Sequence, residues 1–173
     1  LQAKLATLLK PFLAFDPGTL TTSLEVSGRH EGNSLRVEKL GVTANREGGA
    51  LLAAIDLAQP VLVDVKATTF AAANPAATAA RVRLGEIPLA WAEPYVAHAK
   101  LAGTLTGAAI EVTMRSADDL SATTTAPIGL RGVSVAMDDK PLLQSLDLSA
   151  EFSATKRKDT IVYDLRRLEL KQG

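Results

Sequence analysis

Residues 85–112 read GEIPLAWAEPYVAHAKLAGTLTGAAIEV, and the reading of this stretch decides the fold. Pro88 suits the first turn of a helix, where its missing N–H costs nothing. Pro94 limits that helix to a turn or two. Leu89, Ala92 and Val96 share one helical face, while Trp91 and Tyr95 stand four apart, within reach of each other. Directly afterwards Leu101, Gly103, Leu105 and Gly107 alternate with period two, as a strand does. Ile110 and Val112 continue the alternation after a step. A short proline-bracketed aromatic insert between strands predicts a helical plug near 87–98 in a long β-meander.

The same period runs outward in both directions. On the N-terminal side Leu20, Thr22, Leu24 and Val26 share a face, and residues 28–34 (GRHEGNS) read as a polar hairpin tip. Leu35 and Val37 resume the alternation, and Leu40, Val42 and Ala44 carry it one step out of phase. A phase slip inside a strand is the mark of a β-bulge. Leu51, Ala53, Ile55 and Leu57 form the next face, and Pro60 separates them from Val61, Val63 and Val65. Residues 70–80 (FAAANPAATAA) fit a strand or a short helix equally well, with Asn74-Pro75 as a turn.

On the C-terminal side Ile128 and Leu130 give way to Val133 and Val135, with a second slip at Gly132. Leu146, Leu148, Ala150 and Phe152 alternate, residues 155–160 (TKRKDT) make a charged tip, and a third slip falls within residues 164–170. The hairpins at 24–42 and 148–170 share one grammar: strand, polar tip, strand with slip. That is a weak internal repeat. Nine to eleven strands are expected. Leu1, Leu5, Leu8 and Phe12 recur at helical spacing, which predicts an amphipathic helix within residues 1–15 lying on the sheet. Residues 16–173 then form a single β domain, mostly antiparallel and strongly twisted.

Composition narrows the function classes. The chain has 173 residues, enough for one domain. It is 47% apolar but only 4% aromatic, so whatever it buries is aliphatic, and it holds 29 alanines. Nineteen basic residues balance nineteen acidic ones, and no basic excess points to a nucleic-acid partner. With no cysteine there is neither a disulfide nor thiol chemistry. No apolar run reaches the roughly 18 residues of a membrane-spanning helix. The chain starts at Leu1 and not Met, which reads as a piece of something longer.

Residues 88–95 (PLAWAEPY) followed by 101–107 (LAGTLTG) resemble a passage of AsmA-like proteins, TamB and its relatives among them. There a short helix of leucine, aromatic and proline precedes a strand of alternating leucine and glycine. Residues 140–148 (KPLLQSLDL) are similar to the strand-entry pattern of the same family. The resemblance implies a long antiparallel sheet curled into an open groove with an apolar inner face. It implies a non-catalytic periplasmic module binding or conducting lipid acyl chains between two membranes. Its partners would be phospholipid or another acyl lipid, and adjoining modules of the same chain. An inner-membrane tether would lie outside this segment, and no cofactor is implied.

Under that reading the lipid-facing candidates are Leu24, Val26, Leu51, Ile55, Val61, Val63, Ile110, Val112, Val133 and Val135. Leu89, Trp91 and Tyr95 are the candidate plug. Alternation alone fits the core of a β-sandwich equally well, which would make the chain a structural or interaction module of an envelope protein. No metal site and no catalytic residue is expected. Asp118-Asp119 and Asp138-Asp139 stand at turns, where Asp favours backbone hydrogen bonds. His30 and His98 have no ligand spacing to each other or to a carboxylate cluster. Lys156-Arg157-Lys158 sits on a hairpin tip, diluted by Asp159. The chain carries no nucleophile elbow, P-loop or dinucleotide fingerprint.

Overall fold

The computed structural model describes residues 19–172. The expected helix within residues 1–15 lies outside the described residues. Strands hold 74% of the described residues and helix 5%, in one antiparallel sheet of twelve strands. The strands are β1 (Leu20–Glu31), β2 (Ser34–Arg46), β3 (Leu51–Leu57), β4 (Val61–Asp64), β5 (Thr69–Ala72) and β6 (Thr78–Leu84). They continue as β7 (Ile87–Pro88), β8 (Ala99–Ser116), β9 (Asp119–Thr124), β10 (Ile128–Met137), β11 (Lys140–Arg157) and β12 (Thr160–Gln172). A 3₁₀ helix, Leu89–Tyr95, fills the expected insert.

The pairing is simpler than twelve strands suggests. β2 pairs with β3 along one half and with β4 along the other, so β3 and β4 lie end to end. β5 pairs with β4 and β6 with β3, and β7 follows β6 along β8. β9 and β10 likewise share the space between β8 and β11. Merging β3 with β4, β5 with β6 and β7, and β9 with β10 removes four, so twelve strands fill eight rows. The rows follow chain order, an up-and-down meander. The expected strand number fell short because broken rows were read as single strands or as turns.

The breaks are bridged by side chains. Residues 58–60 interrupt the third row beside residues 73–77, which interrupt the fourth. Pro60 has no N–H to give the ladder. Gln59 fills the gap: its Nε2 lies 2.9, 3.1 and 3.0 Å from the carbonyls of Asn74, Ala77 and Thr78. Its Oε1 accepts from the Asn74 N–H at 2.6 Å. One amide thus replaces several ladder bonds where both rows are interrupted together.

All three phase slips are bulges. Glu38 is the extra residue where Ser27 faces Lys39 and Gly28 faces Val37. Arg166 is extra where Glu151 faces Arg167 and Phe152 faces Leu165. The register shifts again between Leu130 and Val133. In each case the extra residue returns the apolar set to the face it occupied before. The polar tips are shorter than their composition suggests. Strands run on to leave only residues 32–33 and 158–159 unpaired, because ladder hydrogen bonds do not require apolar side chains.

No conventional core accompanies this sheet. The buried apolar residues among those described are Ala54, Val61, Ala72, Ala79 and Val133, and no large side chain is fully buried. A sandwich needs two sheets about 10 Å apart with their inner faces interdigitated; the described residues form one sheet.

Gly103 and Gly107 of the LAGTLTG strand hold φ of +113° and +136°, outside the range of ordinary residues. A Cβ on Gly103 would stand 2.8 Å from the Arg131 carbonyl oxygen of the neighbouring row. Gly103→Val is therefore expected to cost about 1–3 kcal/mol in backbone strain alone. A urea titration followed by far-UV circular dichroism measures it, and an unchanged midpoint would refute the close approach.

Candidate functional site

Cross-strand partners share a face of the sheet, so the register sorts every strand residue onto one side or the other. One line of partners runs Leu24, Val42, Ile55, Val82, Ile110, Thr124 across six successive rows. A second runs Leu57, Ala80, Val112, Ala122, Ala154, Tyr163 to the last row. Leu57 and Ile55 alternate onto the same side, so the two lines belong to one face. Leu35 with Val63 and Phe70 adds a third line at the end holding the 32–33 turn. Ile87, Leu105, Leu130, Leu148 and Leu170 add a fourth at the opposite end.

The sequence-derived candidates Leu24, Val26, Ile55, Val61, Val63, Ile110, Val112, Val133 and Val135 all fall on this face. Val133 joins it opposite Leu146, and Val135 opposite Leu101 and Leu143. Leu51 is the exception. It stands past a register shift, opposite Asn45, and the lines do not include it. Sequence reasoning missed Val82, Phe70 and the β12 residues Tyr163, Leu165, Leu168 and Leu170. Their period-two spacing carried the signal.

The face is open. Ile55 sits in an interior row between Val42 and Val82, yet it is 43% exposed. Leu24 in the first row is 69% exposed and Tyr163 in the last 73%. Fully burying an aliphatic side chain of this size is worth about 1.5–3 kcal/mol, of which the sheet gains only part.

The opposite face is polar and laced with ion pairs. Lys39 donates to Glu25 at 2.6 Å, Arg83 to Asp56 at 3.1 Å and Arg81 to Glu111 at 3.1 Å. Thr78 also donates to Glu111 at 3.0 Å. The hydrogen bonds from Arg81 and Thr78 hold the Glu111 carboxyl below its ordinary pKa. Ser121 and Thr155 meet at 3.3 Å on the same side. A recess of about 500 Å³ lies at the end near the 3₁₀ helix, lined by Lys100, Ala102, Ser134, Ala136 and Pro141 among others. Lys100, Ala136 and Pro141 are register partners on the polar side, while Leu101, Val135 and Leu143 of the apolar face line the recess too, so it takes residues from both faces.

The plug candidates stand at one end of the rows. Arg46, in register with Leu20, holds its guanidinium carbon 4.6 Å from the centre of the Trp91 ring. Its Nη2 donates to the Glu86 carbonyl at 2.7 Å. Glu93 accepts from the Leu101 N–H at 2.7 Å, serving a backbone donor that lies past the end of β7. Leu89 and Trp91 are half-buried and Tyr95 is exposed, so the insert is fastened mainly by polar contacts. Nothing in the sequence pattern linked Arg46 to Trp91, which lies forty-five positions away.

The acidic pairs do turn chemistry. Asp138 and Asp139 both have positive φ, 49° and 62°, as the two central residues of a type I′ hairpin require. Lys100 donates to Asp139 at 2.5 Å, which lowers the Asp139 pKa and raises that of Lys100. His98 lies 3.6 Å from Asp138, exposed. Lys156 donates to the Ala117 carbonyl at 3.0 Å. Among the described residues no group of three His, Asp or Glu side chains is placed to hold a metal. No helix among them is long and apolar enough to cross a membrane.

Two measurements test this geometry. Arg46→Ala removes the ring contact and the Glu86 bond, together about 1–2 kcal/mol. Because Trp91 is the only tryptophan, its fluorescence is expected to shift red while the far-UV spectrum holds; an unmoved maximum would refute the contact. A carboxylate with a lowered folded pKa contributes stability above its ordinary value, and that contribution fades as pH falls through the folded pKa. Glu111→Gln is therefore expected to be less stable than wild type at pH 7, with the difference closing below pH 4.5. The effect is small and salt-sensitive, because the group is exposed. Urea midpoints at the two pH values decide it.

Comparison of the chain with family models, with curated proteins and with solved structures returns no match.

Proposed function

We propose that this chain is a non-catalytic module of the bacterial cell envelope that binds or conducts lipid acyl chains along its apolar face. One observation carries the reading: a continuous aliphatic surface crosses all eight rows, and its interior residue Ile55 stays 43% exposed. An apolar surface of that extent needs a cover. An acyl chain suits it, because the side chains offered are mostly aliphatic, and the Thr124 hydroxyl in the interior lines is taken up by the Phe152 backbone. Each methylene removed from water contributes about 0.8 kcal/mol. Polar groups and ion pairs fill the other face, which suits it to water.

The resemblance of residues 88–95 and 101–107 to AsmA-like proteins adds the setting: the periplasm, between inner and outer membranes, with the tether and further modules elsewhere in a longer chain. In this reading the sheet curls, its bulges supply the bend, and the 3₁₀ insert with Leu89, Trp91 and Tyr95 stops one end of the groove. The alternative, a β-sandwich serving as a structural or interaction module, needs a second packed sheet.

Native mass spectrometry of the purified protein, followed by solvent extraction, tests the proposal. Co-purifying phospholipid or fatty acid is expected. Ile55→Asp, which places a charge on the exposed apolar face, is expected to stay folded and lose that lipid. Ser23→Asp, beside Leu24 but on the polar face, is expected to keep it. Lipid-free wild-type protein that also takes up no fluorescent fatty acid would overturn the proposal.

A further inference from the structure

The two edges of the sheet fit each other. Among the described residues β1 pairs only with β2, and β12 only with β11. These edge strands are 12 and 13 residues long, against a usual strand of about 5–6. Edge strands of soluble proteins are commonly guarded by proline, by short length, by bulges or by charges pointing into the apolar face, and of these β12 carries a bulge at Arg166. Neither strand contains proline. On its apolar side β12 shows Ile161, Tyr163, Leu165, Leu168 and Leu170, each more than half exposed, and no charge. Val26 of β1 is 63% exposed on the same face.

We infer that β12 of one copy pairs with β1 of a second copy, extending the sheet from molecule to molecule. Direction permits it. With eight rows in alternation, the first and last run opposite ways, so a translated copy brings β1 antiparallel to β12. Register follows from length. With strand ends level, Leu168 falls opposite Leu24, and Leu165, past the Arg166 bulge, falls opposite Val26. On the other face Arg167 falls opposite Glu25, a pair of opposite charge. The apolar face then continues without a step across the junction. The contact is head to tail, so it propagates instead of closing as a twofold dimer would. This inference does not depend on what the apolar face binds.

The cysteine-free chain makes the test direct. Light scattering across a concentration series is expected to show association beyond the dimer. Leu24→Cys combined with Leu168→Cys, oxidised under the same conditions, is expected to give a ladder of disulfide-linked species. Arg167→Glu is expected to weaken association roughly three- to tenfold, and adding Glu25→Arg to restore it. Both sites are exposed, and circular dichroism checks that each variant is folded. Strictly monomeric protein without cross-links overturns the inference. A disulfide confined to single chains also overturns it, since it would join β1 and β12 of one molecule.

Discussion

The backbone ladder, and not a packed interior, holds this chain together. Among the described residues five form the buried apolar set, three of them alanines, and no large side chain is sealed from water. Order must come from row-to-row hydrogen bonds and from cross-strand pairs on each face, each pair contributing roughly 0.2–1 kcal/mol. That arrangement tolerates a long sheet, because every row needs only its two neighbours. It also explains the care taken at interruptions. Gln59 bridges the break shared by the third and fourth rows, Thr124 exchanges hydrogen bonds with the Phe152 backbone, and the Asp147 carboxylate accepts from the Gly132 N–H. Each side chain supplies a bond that the ladder lost locally.

The second constraint follows from the first. A single sheet with one aliphatic face cannot shield that face by itself, and the polar face cannot exchange roles with it. Bulges keep the two apart. At Glu38 and Arg166 one added residue restores the apolar phase after the strand has shifted, and the ion pairs Glu25–Lys39 and Arg81–Glu111 stay on the other side. Functional readings that need a convergent polar site find little to use. The paired strand carboxylates such as Glu25, Asp56 and Glu111 are on the wet side, His98 stands beside Asp138 at a turn, and His30 lies opposite Leu35 in the edge strand.

Much of the fold was legible because period two is a strong signal when strands are long. The meander, the insert between Pro88 and Tyr95, and all three slips could be read from spacing, and nine of ten facing candidates share a face. Leu51 was misread because the shift beside Ala44 leaves no mark in the pattern. The row breaks at 58–60 and 73–77 looked like turns, since Pro60 and Asn74-Pro75 carry turn chemistry. Only the pairing of β2 with both β3 and β4 shows that the row continues past them. The Gln59 bridge and the Arg46–Trp91 contact join residues far apart in the chain, where composition and period are silent. Whether the alternating residues formed a filled sandwich or an open face depended on the number of sheets, which alternation does not encode.

The alanines gain a geometric meaning from the register. Ala53, Ala80, Ala108, Ala122 and Ala154 lie on the apolar face in the interior rows, set among Leu84, Val112 and the line Val42, Ile55, Val82, Ile110. An alanine rises one carbon above the backbone and a leucine three. The relief of this surface is therefore uneven, low at each alanine and raised at the larger side chains between them, cut by side-chain length alone in a sheet whose backbone is continuous. From row to row that relief changes in steps of one strand spacing, about 4.8 Å. That step is close to the thickness of a single extended hydrocarbon chain.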